Sequence, residues 1–198
     1  MSINPLSYQS ANAFPAKLLR YAKNLSHGLY PIHLQLYLTN KCNLDCSYCS
    51  CRNRTRDVER DYINLTDDLD QFIKRGLQSV TITGGGEPLM SPLFEGLVSY
   101  LYRKQISMGL VTNGILTKKW PQETFQKIEW IRVSFDADRK ALPELYWTIG
   151  DKYAFSYVYS PYAEHTDHFN SLVDMARDGS ISHLRVVSDI TAKETIQQ

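Results

Sequence analysis

The stretch Cys42-Asn-Leu-Asp-Cys46-Ser-Tyr-Cys49-Ser-Cys51 contains every cysteine of the chain. The first three cysteines have the spacing C-x3-C-x2-C. Three thiolates on one short loop can bind three irons of a [4Fe-4S] cluster, which leaves the fourth iron open to an exchangeable ligand. The spacing therefore predicts a cluster at which chemistry can take place.

Three other interpretations of these thiols are possible. Disulfides are not expected, because no N-terminal apolar run resembles a signal peptide and Cys49 and Cys51 are too close in sequence to pair easily. A zinc knuckle stays open, although its second half-site normally follows a dozen or more residues later, and here none follows. If Cys51 were a fourth ligand, the cluster would be closed and the protein would be an electron carrier. We interpret Cys51 as a non-ligand.

A second motif follows roughly forty residues later, in Val80-Thr-Ile-Thr-Gly84-Gly85-Gly86-Glu87-Pro88. The β-branched run predicts a strand, and the three glycines with proline predict a special turn. Glycine lets the backbone come close to a ligand, and Glu87 offers acceptor oxygens. Taken alone, the motif is also typical of a plain tight connection between a strand and a helix.

Two further apolar runs end in small polar residues, namely Gly109-Leu-Val-Thr112-Asn113-Gly114 and Trp130-Ile-Arg-Val-Ser134-Phe-Asp136. Strand-like and helix-like segments alternate about every 25 residues, which is typical of an α/β domain with a parallel sheet. Functional loops then lie at the carboxyl ends of the strands, where all these motifs fall. We expect an open partial TIM barrel of about six β/α units, with strands inside and helices outside.

The element bounds can be predicted along the chain. Strands are expected at 33–39, 78–83, 107–112, 129–135, 152–159 and 182–188. Helices are expected at 65–75, 92–104, 121–127, 139–147 and 167–176. The first helix has a plausible start at Thr66-Asp67-Asp68 and a plausible stop at Gly76.

In this order of motifs the chain resembles the radical S-adenosylmethionine (SAM) enzyme family over roughly residues 34 to 190. The resemblance implies that Cys42, Cys46 and Cys49 bind a [4Fe-4S] cluster. It implies that Tyr48 lies against the adenine of SAM. The glycine turn with its acid, which here is Gly84, Gly85, Gly86 and Glu87, would bind the methionine amino group. Contacts to the ribose and carboxylate would come from Thr112, Asn113, Ser134 and Asp136.

The resemblance also implies a reaction. The reduced cluster cleaves SAM to methionine and a 5′-deoxyadenosyl radical, which abstracts hydrogen from a substrate. We favour a small-molecule or nucleotide substrate over activation of a glycyl-radical enzyme. A peptide-modifying enzyme with auxiliary clusters is disfavoured, because the chain has no further cysteines. The alternative outside the enzymes is an iron-sulfur electron-transfer module.

Local charge gives a hypothesis about partners. Four arginines within nine residues follow the cysteines, and arginine suits carboxylates and phosphates. Arg54 and Arg56 could therefore meet an anionic substrate or an acidic one-electron donor such as flavodoxin or ferredoxin. The plain alternative is a solvated loop, since neighbouring acids offset most of the charge. Arg185 on the sixth predicted strand could reach substrate or pair with a structural acid.

Composition sets the remaining expectations. The chain of 198 residues, with 43% hydrophobic residues, can bury one core, which we place at 33–198 after an N-terminal extension at 1–32 with a short helix near Leu18–Lys23. A net charge of +1 predicts no nucleic-acid partner, and no apolar stretch approaches a membrane span. We expect a cytoplasmic protein with reduced thiols. The barrel is either minimal or lacks a C-terminal part.

Overall fold

Six parallel strands lie side by side in the same order in the sheet as in the chain. The structure is a computed structural model, and it describes residues 30–136, 138–159 and 167–189. The strands are β1 His33–Tyr37, β2 Ser79–Thr83, β3 Ser107–Thr112, β4 Trp130–Asp136, β5 Tyr153–Tyr159 and β6 His183–Ser188. Within the described residues β1 and β6 are the two edges, so the sheet is open, as predicted for a partial barrel.

Crossover segments link the strands. The α-helices are α1 Tyr62–Lys74, α2 Phe94–Arg103, α3 Gln122–Gln126 and α4 Asp167–Asp178. Short 3-10 helices span Pro88–Met90, Thr117–Lys119 and Trp147–Lys152. No helix in the described part of the chain is long and apolar enough to cross a membrane.

The hydrophobic core lies between the sheet and the helices. Alternate strand residues such as Ile82, Leu110 and Val133 are fully buried on this side. The helices contribute their apolar stripes, for example Leu69 of α1 and Leu97 of α2. Each such side chain contributes about 1.5–3 kcal/mol when fully buried. This packing holds the strands in register and fixes where their carboxyl ends lie.

The opposite face of the sheet, which we call the inner face, carries the other set of strand residues. They include Thr81, Arg132, Ser134, Ser156 and Arg185, because successive side chains point to opposite sides of a strand. The face is therefore largely polar, and it leads directly to the carboxyl ends of the strands.

The predicted strands agree with the structure within two residues at each end. The predicted start of α1 was wrong: Asp61 caps the helix by accepting a hydrogen bond from the Asn64 N–H at 3.0 Å, and Thr66 bonds back to Tyr62 within the helix. Gly76 does follow the helix end, with φ of 102°, a conformation that favours glycine.

The helix predicted at 139–147 was also wrong. No helix occupies these residues before the 3-10 helix at Trp147. Pro143 lies in the middle of the segment, where its ring prevents helical hydrogen bonding. Its ring packs instead beside Gly114, at which an added Cβ would lie 2.9 Å from Pro143 Cγ. The helix predicted near Leu18–Lys23 lies outside the described residues, and the proposed domain limits stay a prediction.

Candidate active site

The cysteines lie on a loop of residues 40–58, here called the cysteine loop, which follows β1. An antiparallel bridge between Thr39 and Glu59 closes its base. The Asn40 N–H donates to the Val58 carbonyl at 2.9 Å, and the Arg60 N–H donates to the Leu38 carbonyl at 3.0 Å. The loop is therefore anchored at both ends to the end of β1.

Three of the thiols line one cavity. Tight turns order the loop, since the Cys49 N–H donates to the Cys46 carbonyl at 3.2 Å. Cys42, Cys46 and Cys49 line a cavity of about 280 Å³, whereas Cys51 is not among its lining residues. Burial raises the pKa of the Cys46 thiol. The sequence therefore singled out the three cysteines that share a cavity.

The glycine turn packs directly on the cysteine loop. The Gly86 N–H donates to the Thr39 carbonyl at 3.0 Å, and the Glu87 N–H donates to the Lys41 carbonyl at 2.7 Å. An added Cβ at Gly86 would lie only 2.0 Å from the Lys41 oxygen, and one at Gly85 would lie 2.5 Å from Asn40 Oδ1. The glycines are thus required by close approach to the protein's own loop. The sequence had suggested approach to a ligand.

Glu87 is buried and strongly hydrogen-bonded. Its Oε1 accepts from the Leu89 N–H at 3.0 Å and from the Thr112 hydroxyl at 2.6 Å, and its Oε2 accepts from the Asn113 N–H at 2.7 Å. Burial raises its pKa, although these donors favour the ionised form. The carboxylate therefore joins the glycine turn to the end of β3, with capacity for about one more donor.

The carboxyl ends of β3 and β4 also contact the cysteine loop. The Asn113 side-chain amide donates to Asn43 Oδ1 at 2.7 Å. The Tyr48 hydroxyl donates to Asp136 Oδ2. The cavity is lined by all the residues that the resemblance associates with SAM except Gly85, namely Tyr48, Gly84, Gly86, Glu87, Thr112, Asn113, Ser134 and Asp136.

Sequence reasoning missed two residues that help to build this region, Asn43 and Arg139. Arg139 Nη1 donates to the carbonyls of Asn113 at 2.7 Å and Ser134 at 2.9 Å, and its guanidinium carbon lies 4.7 Å from the Phe135 ring centroid. It thus joins the ends of β3 and β4. The sequence carries only a weak signal for Arg139, because a single arginine after a strand fits equally well into the helix that was predicted at 139–147.

The three arginines suggested for substrate contact lie in different settings. Arg54 turns into the cysteine loop: its Nε donates to the Asn40 carbonyl at 2.7 Å, and its Nη1 donates to the Cys51 carbonyl at 2.6 Å and to Cys49 Sγ at 3.8 Å. Arg56 forms an exposed ion pair with Asp45. Arg185 is exposed on the inner face of β6.

The residues present suit the chemistry of the expected cofactors. A cluster of iron and sulfide is held in proteins by cysteine thiolates, and three line the cavity. Beside them lie the buried Glu87 carboxylate and the polar ends of β3 and β4. Within the described residues, no group of three or more His, Cys, Asp or Glu side chains could hold a single metal ion.

The architecture defines an α/β protein with a cavity at the carboxyl ends of its strands, and cysteine thiols line that cavity. The sequence model of the Radical SAM superfamily matches residues 36–157, and the chain belongs to this family. Members of the family use a [4Fe-4S] cluster and SAM. The resemblance inferred from the four motifs is therefore confirmed.

Relatives match parts of the chain. It is 34% identical over 93 residues to a GTP 3′,8-cyclase of Aliarcobacter butzleri, covering 44% of this chain and 28% of that protein. It is 31% identical over 118 residues to the human Molybdenum cofactor biosynthesis protein 1, and the match covers 56% of this chain and 18% of that protein. It is 29% identical over 109 residues to an S-adenosylmethionine-dependent nucleotide dehydratase of Selenomonas ruminantium, covering 52% and 39%. The matches span well under half of each relative.

Solved structures share the fold. Streptococcus suis SuiB bound to precursor peptide SuiA superposes with a TM-score of 0.64 at 22% identity, covering 95% of this chain and 48% of that one. BtrN in complex with AdoMet and 2-DOIA superposes with a TM-score of 0.52 at 17% identity, covering 80% and 70%. These likenesses confirm the α/β partial-barrel architecture.

Proposed function

We propose that this chain binds a [4Fe-4S] cluster and SAM in the cavity and uses them to abstract hydrogen from a small anionic substrate, a nucleotide or related molecule. One observation carries the proposal: Cys42, Cys46, Cys49 and the buried Glu87 line the same cavity at the carboxyl ends of the strands. When bound and reduced, the cluster supplies the electron that splits SAM into methionine and a 5′-deoxyadenosyl radical.

The chain's own residues have the tasks of binding and positioning. Cys42, Cys46 and Cys49 would hold three irons of the cluster. The glycine turn and Glu87 would bind the methionine end of SAM, because both line the cavity and the Glu87 carboxylate has one acceptor position left. Hydrogen bonds to the loop keep this turn at a fixed distance from the thiols.

Other residues would hold the nucleoside end. Thr112, Asn113, Ser134 and Asp136 line the same cavity and offer hydroxyl, amide and carboxylate groups to the ribose and carboxylate of SAM. Tyr48 would present its ring to the adenine while its hydroxyl is held by Asp136. An aromatic contact of this kind contributes about 1 kcal/mol beyond buried area.

The nucleotide class of substrate is supported by the names of the matching relatives. Two of them, the GTP 3′,8-cyclase and the nucleotide dehydratase, are named for reactions of nucleotides. The hydrogen-abstracting step also needs a one-electron donor, for which we propose a flavodoxin or ferredoxin. A cytoplasmic location, where thiols stay reduced, would suit the cluster ligands.

The test is anaerobic reconstitution with iron and sulfide, followed by reduction with dithionite and mass-spectrometric measurement of 5′-deoxyadenosine. We expect about four irons per chain, a SAM-dependent change in the EPR spectrum of the cluster, and 5′-deoxyadenosine well above that of Cys46→Ala. Cys51→Ala is the matched control and should keep both cluster and cleavage, because Cys51 does not line the cavity.

The possible outcomes distinguish the proposed enzyme from two other classes of protein. Stoichiometric zinc in place of iron would indicate a zinc-binding module. A cluster whose EPR spectrum ignores SAM, with no 5′-deoxyadenosine above the Cys46→Ala level, would indicate an electron carrier and refute the proposal.

A further inference from the structure

Arg139 connects two strand ends at the point where their pairing stops. Thr112 and Val133 are the last pair of the parallel ladder between β3 and β4. The residues that follow them, Asn113 and Ser134, both line the cavity. Arg139 Nη1 donates to the Asn113 carbonyl at 2.7 Å and to the Ser134 carbonyl at 2.9 Å. One nitrogen atom therefore continues the connection between the strands beyond the end of the ladder.

The segment that carries Arg139 is itself held in place. The Asp138 N–H donates to Asp136 Oδ1 at 3.0 Å, and the Arg139 N–H donates to the Asp136 carbonyl at 3.4 Å. On the other side, Nε2 of the His168 ring lies 2.8 Å from the carbonyl oxygen of Lys140. These contacts hold the backbone of Arg139 between the end of β4 and the start of α4.

The Arg139 side chain has a support of its own. Its guanidinium carbon lies 4.7 Å from the centroid of the Phe135 ring, and the Phe135 side chain is fully buried. A guanidinium group is attracted to the face of an aromatic ring, and its planar shape fixes the directions of its donors. The two hydrogen bonds to the strand ends are therefore made from a fixed position.

Negative groups surround this guanidinium. Burial lowers the pKa of Arg139, whereas nearby negative charges, including those of Asp136 and Glu87, raise it. Both carboxylates line the cavity, and no lysine, arginine or histidine side chain of the described residues lines it with them. Arg139 therefore offsets the charge of the two acids without being a lining residue itself.

We propose that Arg139 is a positioning residue for SAM, which sets the separation of the cavity-lining groups of Asn113 and Ser134. The role rests on the proposed function, since these two residues are proposed SAM contacts. The Asn113 N–H also donates to Glu87 Oε2 at 2.7 Å, so a shift at the end of β3 moves two proposed SAM-binding groups together. Arg139 acts through its two carbonyl partners and not by contact with SAM.

SAM binding by variants of the reconstituted protein tests this role. Arg139→Gln and Arg139→Met remove the charge and are too short to hold both carbonyls. Isothermal titration and the 5′-deoxyadenosine assay should show that Kd and KM for SAM increase about tenfold or more in both variants, while the iron content stays that of the wild type. Arg139→Lys keeps one cationic nitrogen with three donors and should bind SAM within about threefold of the wild type. Arg177→Met, on the surface of α4, is the matched control and should bind SAM as the wild type does.

KM and kcat together distinguish positioning from a general loss of stability. A variant that only unfolds more easily has fewer active molecules, so its kcat per chain falls while Kd and KM of the folded fraction stay unchanged. Wild-type Kd and KM in both Arg139→Gln and Arg139→Met would therefore refute the role, as would Arg139→Lys binding SAM no better than Arg139→Gln. If thermal unfolding shows that one of the two neutral variants does not fold, the other decides. Loss of folding in both would indicate a purely structural residue and would also overturn the proposal.

Failure of the proposed function gives a different pattern. If the wild-type protein binds no SAM at millimolar concentration, the proposed function is refuted, and the positioning role with it. If the wild type binds and cleaves SAM and both neutral variants do so equally well, only the positioning role is refuted.

Discussion

The hydroxyl of Tyr48, on the cysteine loop, donates a hydrogen bond to Asp136 Oδ2 at the carboxyl end of β4. The two residues are 88 positions apart in sequence, so the bond ties the cysteine loop to the far side of the cavity. Burial and the neighbouring carboxylate raise the pKa of Tyr48, which keeps the phenol protonated as the donor.

Two substitutions of Tyr48 distinguish the contribution of its hydroxyl from that of its ring. Tyr48→Phe removes the bond to a carboxylate and should lower the free energy of unfolding by about 1.5–3 kcal/mol. Tyr48→Ala should also weaken SAM binding relative to Tyr48→Phe by about fivefold, through loss of about 1 kcal/mol of ring contact. Urea unfolding and SAM titration measure the two effects. Tyr102→Phe, on the exposed side of α2, should change neither, and equal SAM affinity in both Tyr48 variants would contradict a role of the ring.

Gly86→Ala tests the contact between the glycine turn and the cysteine loop. Its Cβ would lie 2.0 Å from the Lys41 carbonyl oxygen, so the backbone of one segment must move. We expect a loss of roughly 1–3 kcal/mol in the free energy of unfolding and reduced iron retention. Gly96→Ala in α2 is the control, because its Cβ has ordinary contacts and alanine should stabilise the helix by about 0.5–1 kcal/mol. Equal stability of the two variants would show that the turn can move freely.

Glu87→Gln should damage the junction between the glycine turn and β3. The carboxylate accepts three hydrogen bonds, and an amide group would direct N–H donors towards the N–H of Leu89 or Asn113. We expect a loss of about 1–3 kcal/mol in the free energy of unfolding and weaker SAM binding. Glu144→Gln, an exposed site, should behave as the wild type. Wild-type stability in Glu87→Gln would contradict the hydrogen-bonding argument.

The same residue predicts a pH dependence. Burial raises the pKa of Glu87, so the folded protein holds this proton at pH values where the unfolded chain has lost it. The wild-type free energy of unfolding minus that of Glu87→Gln should therefore fall as the pH rises from the ordinary pKa through the raised one, and stay constant above it. Urea unfolding of the cluster-free proteins between pH 4.5 and 8 measures this difference. A difference that increases with pH would show that the pKa is lowered instead.

Arg54 is expected to position Cys49, one of the three proposed cluster ligands. Its Nη1 donates to Cys49 Sγ at 3.8 Å and holds the Cys51 carbonyl, while its Nε holds the Asn40 carbonyl. Hydrogen bonds to sulfur raise the reduction potential of iron-sulfur clusters by stabilising the more negative reduced form. Arg54→Gln should therefore lower the midpoint potential in an EPR-monitored redox titration and reduce iron retention.

A matched variant is available for this test. Arg56→Gln removes an exposed ion pair with Asp45 on the same loop, and it should leave both the potential and the iron content unchanged. If Arg54→Gln has the potential and iron content of Arg56→Gln, then the contact with Cys49 has no influence on the cluster.

The strands and the main site motifs could be predicted because they depend on local sequence. Apolar β-branched runs indicate strands, and the polar residues that end them meet at one edge of a parallel sheet. Arg139 could not be placed in this way, since its partners are carbonyls of Asn113 and Ser134, and such contacts leave no pattern in the sequence. The contacts of the Arg54 side chain within the cysteine loop could not be predicted for the same reason, since they too are made to backbone carbonyls. The helix expected at 139–147 failed because Pro143 overrides an otherwise helical composition.

The packing of Gly86 on Lys41 also limits how the loop can change in length. The backbone bonds from Gly86 and Glu87 to Thr39 and Lys41 join two segments into one seam directly before the first cysteine. Insertions or deletions between Lys41 and Cys49 would shift thiols relative to this seam. Length variation should therefore be tolerated between Arg56 and Val58, which are exposed and follow the inward contacts of Arg54, because the loop can lengthen outward there without altering the spacing of the three cavity-lining thiols.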